Sequence, residues 1–328
     1  MPTGPTNRRW RTLPPILAPL LIAGCVGGGK PLFGNAPTAP QISEWSYRGR
    51  PGAQLVTEHY ELHTTLRDAE LIDAVARMLE VAFAHYQSLV PQAHTPEARM
   101  KVYLFATRSD WADFTGRLTG PRAPTFLQIR NGGYVENGIA VMEFAAHHTT
   151  FPLLAHEGFH QYLFHCVRGN APAWLNEGLA VSCEGQRWGR FDLLEFTPWE
   201  NPLRHNALAE AIVRNEMTPL PQLLRIDAGD VIGGGTRRVG EYYAQLWGLM
   251  WFLRDSASGA YGEGFSRLLA KLGSEDLEQY AEAAHIWSGK SDFSFGESLF
   301  RSFVTTDFDE FERKWHAFLK EKVLSSKR

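Results

Sequence analysis

Apolar residues recur with a period near two in the first part of this chain and near 3.6 in the second, and the change comes close to residue 148. His59-Tyr60-Glu61-Leu62-His63-Thr64-Thr65-Leu66 alternates and predicts a strand, as does the short apolar run at 101–105. Between them, 68–90 carries Leu71, Val75, Met78, Leu79, Ala82 and Phe83 on one helical stripe, with Pro91 as the stop. Another helix starts around Ser109, with Asp113 four residues on. Short β segments follow around 126–129, 134–135 and 139–144, where Asn131-Gly132-Gly133 and Asn137-Gly138 supply turn chemistry. From Thr149 the spacing is helical, with candidates at 150–167, 172–184, 205–215, 239–256, 261–272, 275–287 and 308–323. The stretch 227–240 holds five glycines, Gly233-Gly234-Gly235 among them, without apolar periodicity and reads as a loop. The predicted class is α+β: a small mixed-sheet part at 46–148, then a mostly helical domain at 149–328.

Composition narrows the function more than the fold. With 44% hydrophobic residues over 328 positions, the chain can bury a large core. A net charge of −3 gives no basic field, so nucleic acid is not an expected partner. No stretch reaches the roughly 18 apolar residues of a membrane-spanning helix. At the N-terminus, Arg8, Arg9 and Arg11 precede a proline-interrupted apolar run that ends in Leu21-Ile22-Ala23-Gly24-Cys25, the layout of an export signal over 1–24. The small-small-cysteine ending resembles the lipobox of bacterial lipoproteins. That resemblance implies a lipid on Cys25 and a membrane-tethered protein in the periplasm or at the cell surface. Residues 25–45, rich in Gly, Pro, Ala and Thr, read as a flexible tether.

The strongest chemistry lies on the first helix after residue 149, in His156-Glu157-Gly158-Phe159-His160. Histidines four apart share one helical face, so both reach one ion, and a catalytic zinc site takes three protein ligands and leaves a position for water. Glu157 projects near the same side and can take a proton from water activated there. Asn170 and Pro172 then start a second helix after a short connection, which makes the two antiparallel neighbours. Glu177, in its second turn, can face His160 and is the expected third ligand. Glu184 shares that face about 10 Å further along and is too far to ligate the same ion. Cys166 and Cys183 each follow a ligand by six residues; on antiparallel helices they separate to about 18 Å, which predicts two buried thiols and no bridge.

His156-Glu157-Gly158-Phe159-His160 followed by Trp174-Leu175-Asn176-Glu177-Gly178-Leu179-Ala180 resembles the gluzincin clan, the thermolysin-like and aminopeptidase-like zinc peptidases. The wider layout, with Tyr242-Tyr243-Ala244-Gln245-Leu246-Trp247 downstream, resembles peptidase-MA-like bacterial lipoproteins. The resemblance implies a thermolysin-like core, one zinc ion on His156, His160 and Glu177, Glu157 as general base, and a peptide or protein substrate. It also implies a tyrosine as oxyanion donor; Tyr243 matches best by position, with Tyr242 as its neighbour. A sheet-edge strand at 139–144 would pair with the substrate backbone. Gly133-Tyr134-Val135-Glu136-Asn137 loosely resembles an exopeptidase motif whose glutamate holds a substrate amino terminus, though hairpin turn chemistry accounts for it too. Val181 stands where thermolysin-like enzymes carry the acid that orients a zinc histidine, so another partner must hold that ring. His147, His148 and His165 fall off the metal face. The expected function is a zinc-dependent peptidase outside the cytoplasm; the alternative is a non-catalytic, zinc-stabilised surface lipoprotein that binds or scaffolds. Glu157 favours the enzyme, because a structural site has no use for a base.

Overall fold

The alternating segments pair into one six-stranded mixed sheet. The computed structural model describes residues 40–129, 132–188, 194–226, 235–282 and 293–325. The export signal, Cys25, the tether up to residue 39 and Gly233-Gly234 lie outside the described residues. Strands β1 (Gln41–Tyr47), β2 (Arg50–Val56), β3 (Tyr60–Thr64), β4 (Met100–Phe105), β5 (Gly133–Glu136) and β6 (Ile139–Glu143) stand in the order β1-β2-β3-β4-β6-β5. The β3/β4 and β4/β6 pairs are parallel and the others antiparallel.

Two results differ from expectation here. The first strand begins at Gln41, inside the stretch read as tether. Its residues are mostly exposed, and only Trp45 and Tyr47 carry a packing signal. The stretch at 126–129 is not a strand: Pro124 sits in the first turn of a short helix, α3 (Ala123–Phe126), and Phe126 and Ile129 reach the core at helical spacing.

Period-two alternation sends the sheet's side chains to two cores. Leu62, Val102, Leu104, Ala140 and Met142 face one, and Tyr103, Phe105, Tyr134 and Val141 face the other. Helix α1 (Ala69–Leu89) covers the first face with α4 (His147–Cys166), while α2 (Arg108–Thr119) covers the second through Trp111. Asp68 starts α1 by accepting from the N–H groups of Glu70 and Leu71. Gln161 on α4 donates to the carbonyls of Lys101 and Gly138, both at 2.8 Å, and fixes the helix against the ends of β4 and the β5/β6 turn.

After α4 come α5 (Ala173–Ser182), α6 (Pro202–Arg214), the short α7 (Leu220–Leu223), α8 (Gly235–Arg254), α9 (Ala260–Ser274), α10 (Phe295–Phe303) and α11 (Phe308–Leu319). Between α5 and α6 lies a small hairpin, β7 (Gln186–Trp188) with β8 (Leu194–Phe196). The helical start at Gly235 takes the end of the stretch read as a glycine loop; positions 227–234 lie outside the described residues. Helix α8 packs against α5, α6, α9 and α11, with Trp247, Leu249 and Met250 fully buried. One core runs from Leu55 in β2 to Leu319 in α11, and residues Pro37–Arg328 form one unit, so the α+β architecture has no break at residue 148. No helix among the described residues is long and apolar enough to cross a membrane.

Candidate metal centre

Helices α4 and α5 run antiparallel, so residues early on α4 meet residues late on α5. His160 meets Asn176: its Nδ1 lies 2.8 Å from the Asn176 Oδ1. One turn earlier, His156 meets Glu184, with Nδ1 3.0 Å from Oε1. Both acceptors take an Nδ1–H, which orients each ring and leaves its Nε2 as the nitrogen that can serve a metal once it is deprotonated. Both Nε2 atoms face the same oxygen, Glu177 Oε2, at 3.4 Å each. One ligand atom from each of the three residues lies within 4.8 Å of the other two, and all three side chains are nearly buried.

Those separations test whether a metal fits. An imidazole bonded to a carboxylate closes to about 2.8 Å. Donors held about 2.05 Å from a tetrahedral zinc ion stand about 3.4 Å apart. Glu177 Oε2 is buried and accepts no aligned hydrogen bond, a costly state for a carboxylate unless a cation completes it. Two neutral imidazoles and one carboxylate are zinc-type donors, so His156, His160 and Glu177 fit the ion. Burial alone would raise the Glu177 pKa, yet the imidazoles, His160 foremost, hold it well below the usual carboxylate range.

Reasoning from spacing missed four residues that orient this trio. Glu184 lies outside the trio, but its carboxylate reaches the His156 ring, where Val181 supplies no acid. Helix α5 ends at Ser182, so Glu184 leaves the helical line and turns onto the far nitrogen of His156. Arg204 grips it with Nε 2.8 Å from Oε2 and Nη2 2.7 Å from Oε1, and Asn201 donates to Oε2 at 2.9 Å. Burial opposes the charge on Glu184, but Arg204 and His156 lower its pKa to about 2. Asn176, in the Trp-Leu-Asn-Glu segment, is the fourth; its signal was its place beside the expected ligand. Val181 itself is fully buried in the core.

Glu157 is buried, and its carboxylate has no hydrogen-bond partner among the described residues. Burial, with Glu177 and Glu184 nearby, raises its pKa above the usual carboxylate range, while the two imidazoles pull it back. Tyr243 on α8 sets its ring 5.7 Å from that of His156, with the Arg204 guanidinium 5.1 Å from the ring centre. Burial and the carboxylates of Glu177 and Glu157 push its pKa far up, so the phenol keeps its proton and remains a donor. Tyr242 turns away: its hydroxyl lies 3.4 Å from the Ile226 carbonyl. Comparison with protein-family models, curated proteins and solved structures finds no match for this chain.

The sheet edge beside the site is β5, not the strand at 139–144. β6 is paired on both sides, with β4 and β5. Asn137 and Gly138, both at positive φ, close a two-residue hairpin between Glu136 and Ile139. In such a hairpin the pair flanking the turn is hydrogen-bonded, so Glu136 and Tyr134 point their peptide groups at β6. Gly133 and Val135 therefore turn theirs to the open edge. Gly133 also passes the base closely: a Cβ there would lie 2.9 Å from Glu157 Cγ and 2.4 Å from Met142 Cγ. Glu136 itself is buried in an ion pair with Arg122 and a 3.1 Å hydrogen bond from Asn137, so it is not free to hold an amino terminus. Of the histidines set aside, His147 and His148 begin α4, and His165 Nε2 lies 3.0 Å from the Gly138 carbonyl. Cys166 and Cys183 are free, buried thiols.

Proposed function

We propose that this chain is a zinc-dependent peptidase of the gluzincin, peptidase-MA-like kind, acting outside the cytoplasm as a lipoprotein tethered through Cys25. The observation that carries the reading is the trio of His156 Nε2, His160 Nε2 and Glu177 Oε2, with both Nδ1 atoms already engaged and a free base beside them. A zinc ion, when bound, supplies Lewis acidity and makes water nucleophilic near neutral pH.

The chain's own groups supply the rest. Glu157, with its free carboxylate, accepts a proton from the attacking water and returns it to the departing amine nitrogen. Its raised pKa brings that proton closer to balance between donor and acceptor. Tyr243 donates its O–H to the oxygen that gains charge as the carbonyl is attacked. The outward peptide groups of Gly133 and Val135 pair with an extended substrate backbone, which sets its path past Glu157.

The test is metal analysis with a peptide-library digest, on native protein and Glu157→Gln. Zinc is expected in both proteins and cleavage only in the native one, with the variant slower by about 100- to 10,000-fold. Zinc in both with cleavage by neither overturns the enzyme and leaves a zinc-stabilised binding protein. Tyr243→Phe is expected to lower kcat by about 100-fold or more while keeping zinc; loss of zinc in that variant would show that Tyr243 acts on the ligands instead.

A further inference from the structure

A cavity of about 1140 Å³ opens beside the ligand trio, between the first turns of α1 and α4, the β7 strand and the start of α6. Thr149, Pro152 and Leu153 line it from α4. They lie one and two turns before His156, on the face that carries the histidines. Glu184 and Arg204 form its inner wall, so the cavity and the trio share a partition.

The lining has a definite chemistry. Leu71, Ala74, Phe151, Pro152 and Leu153 give an apolar floor. Trp188 stands at its edge, 43% exposed, with its ring 5.0 Å from Phe151 and nearly perpendicular to it. Five carboxylates line the cavity, Asp68, Glu70, Asp73, Glu184 and Glu200, against two guanidiniums, Arg77 and Arg204, and two imidazoles, His147 and His148. Both arginines are already committed: Arg77 lies 2.9 Å from Asp73, and Arg204 holds Glu184. Glu200 pairs with Arg187. That leaves Asp68, which caps α1, and Glu70, which has no cationic partner among the described residues.

We propose that this cavity is a specificity pocket for a basic side chain, arginine or lysine, of the peptide substrate. The aliphatic stem lies on Leu71 and Phe151, and the cation meets the Trp188 face and the Glu70 carboxylate. An acidic side chain is rejected there, because it would add charge to a wall already in carboxylate excess. The proposal rests on the peptidase reading for its substrate, but its test does not depend on turnover.

The test uses a fluorescein-labelled alanine heptapeptide with one arginine, and its counterpart with glutamate, titrated by anisotropy into the full chain carrying Glu157→Gln. The arginine peptide is expected to bind about tenfold more tightly, with the difference shrinking as salt rises. Adding Glu70→Lys abolishes the preference, and adding Trp188→Ala weakens arginine-peptide binding about fivefold. Thermal melts of the variants check that each is folded. Equal affinity for both peptides, or an arginine preference that Glu70→Lys leaves intact, overturns the pocket. Cleavage by native protein without any preference for basic residues also removes the pocket while the peptidase stands. Arginine-selective binding with no cleavage by native protein supports the pocket and removes the peptidase.

Discussion

In the metal-free protein His156 stands between two carboxylates, Glu177 at its Nε2 and Glu184 at its Nδ1. Burial pulls its pKa down, but those carboxylates outweigh burial and raise it to about 10. A raised histidine pKa contributes stability that is fully present below the ordinary value, about 6.5, and lost as pH climbs toward 10. The metal-free chain is therefore expected to lose stability over that window, read as a falling melting temperature. Zinc needs the Nε2 lone pair, so binding displaces that proton and zinc affinity rises with pH over the same range. Calorimetry at pH 8 in buffers of different ionisation enthalpy should show about one proton released per ion. Binding without proton release would mean that His156 is already neutral and the charge balance described here is wrong. At the same scale, Glu177→Ala is expected to abolish zinc binding, whereas Glu184→Ala keeps it with affinity about 10- to 100-fold lower. Equal loss in both variants would refute the division between ligand and orienting residue.

Helix α4 carries the histidines, and its contact with α1 decides where they sit. The Tyr86 hydroxyl donates to the Ala155 carbonyl at 2.8 Å, directly behind His156. Gly158 makes room for it: a Cβ there would lie 2.6 Å from the Tyr86 oxygen. Gly158→Ala gains up to about 1 kcal/mol of helix propensity but forces the helices apart, at about 1–3 kcal/mol. The variant is expected to melt earlier. In a Tyr86→Phe background, which lacks the obstructing oxygen, the same change becomes neutral or stabilising. A denaturation cycle over the four proteins checks this, and additive effects would show that the glycine serves something other than the contact. The cycle also marks how far spacing could be read. The four-residue separation of His156 and His160 dictates a shared face whatever lies around the helix, and Glu177 followed from a short connection. The Tyr86 contact and the Glu184 brace join segments 69 and 28 positions apart, and no local periodicity encodes such pairings. Distance along a straight helix was the wrong measure for Glu184, because α5 stops at Ser182 and the helices are antiparallel.

The molecule as a whole joins a sheet and a helical array that the change of period at residue 148 suggested as separate parts. Their shared core argues for one cooperative unit. Leu62 and Val102 of the sheet, Leu154 and Phe159 of α4, and Trp247 and Leu253 of α8 belong to one buried cluster. His156, His160 and Glu177 sit on the helices at this junction, α4 and α5, with Tyr243 contributed from α8. Zinc bound there stabilises only the arrangement in which all of these are assembled. At free zinc about 100 times its dissociation constant, the gain is about 2.7 kcal/mol. For a chain of 328 residues that moves the melting temperature by roughly 4 °C. Calorimetric scans with zinc and with a chelator should each show a single transition, with the chelated sample lower by that amount. Two separated transitions would place a boundary inside the shared core and contradict the packing. A single transition that the chelator leaves unmoved would mean that no metal holds the junction, and the proposed chemistry would fall with it.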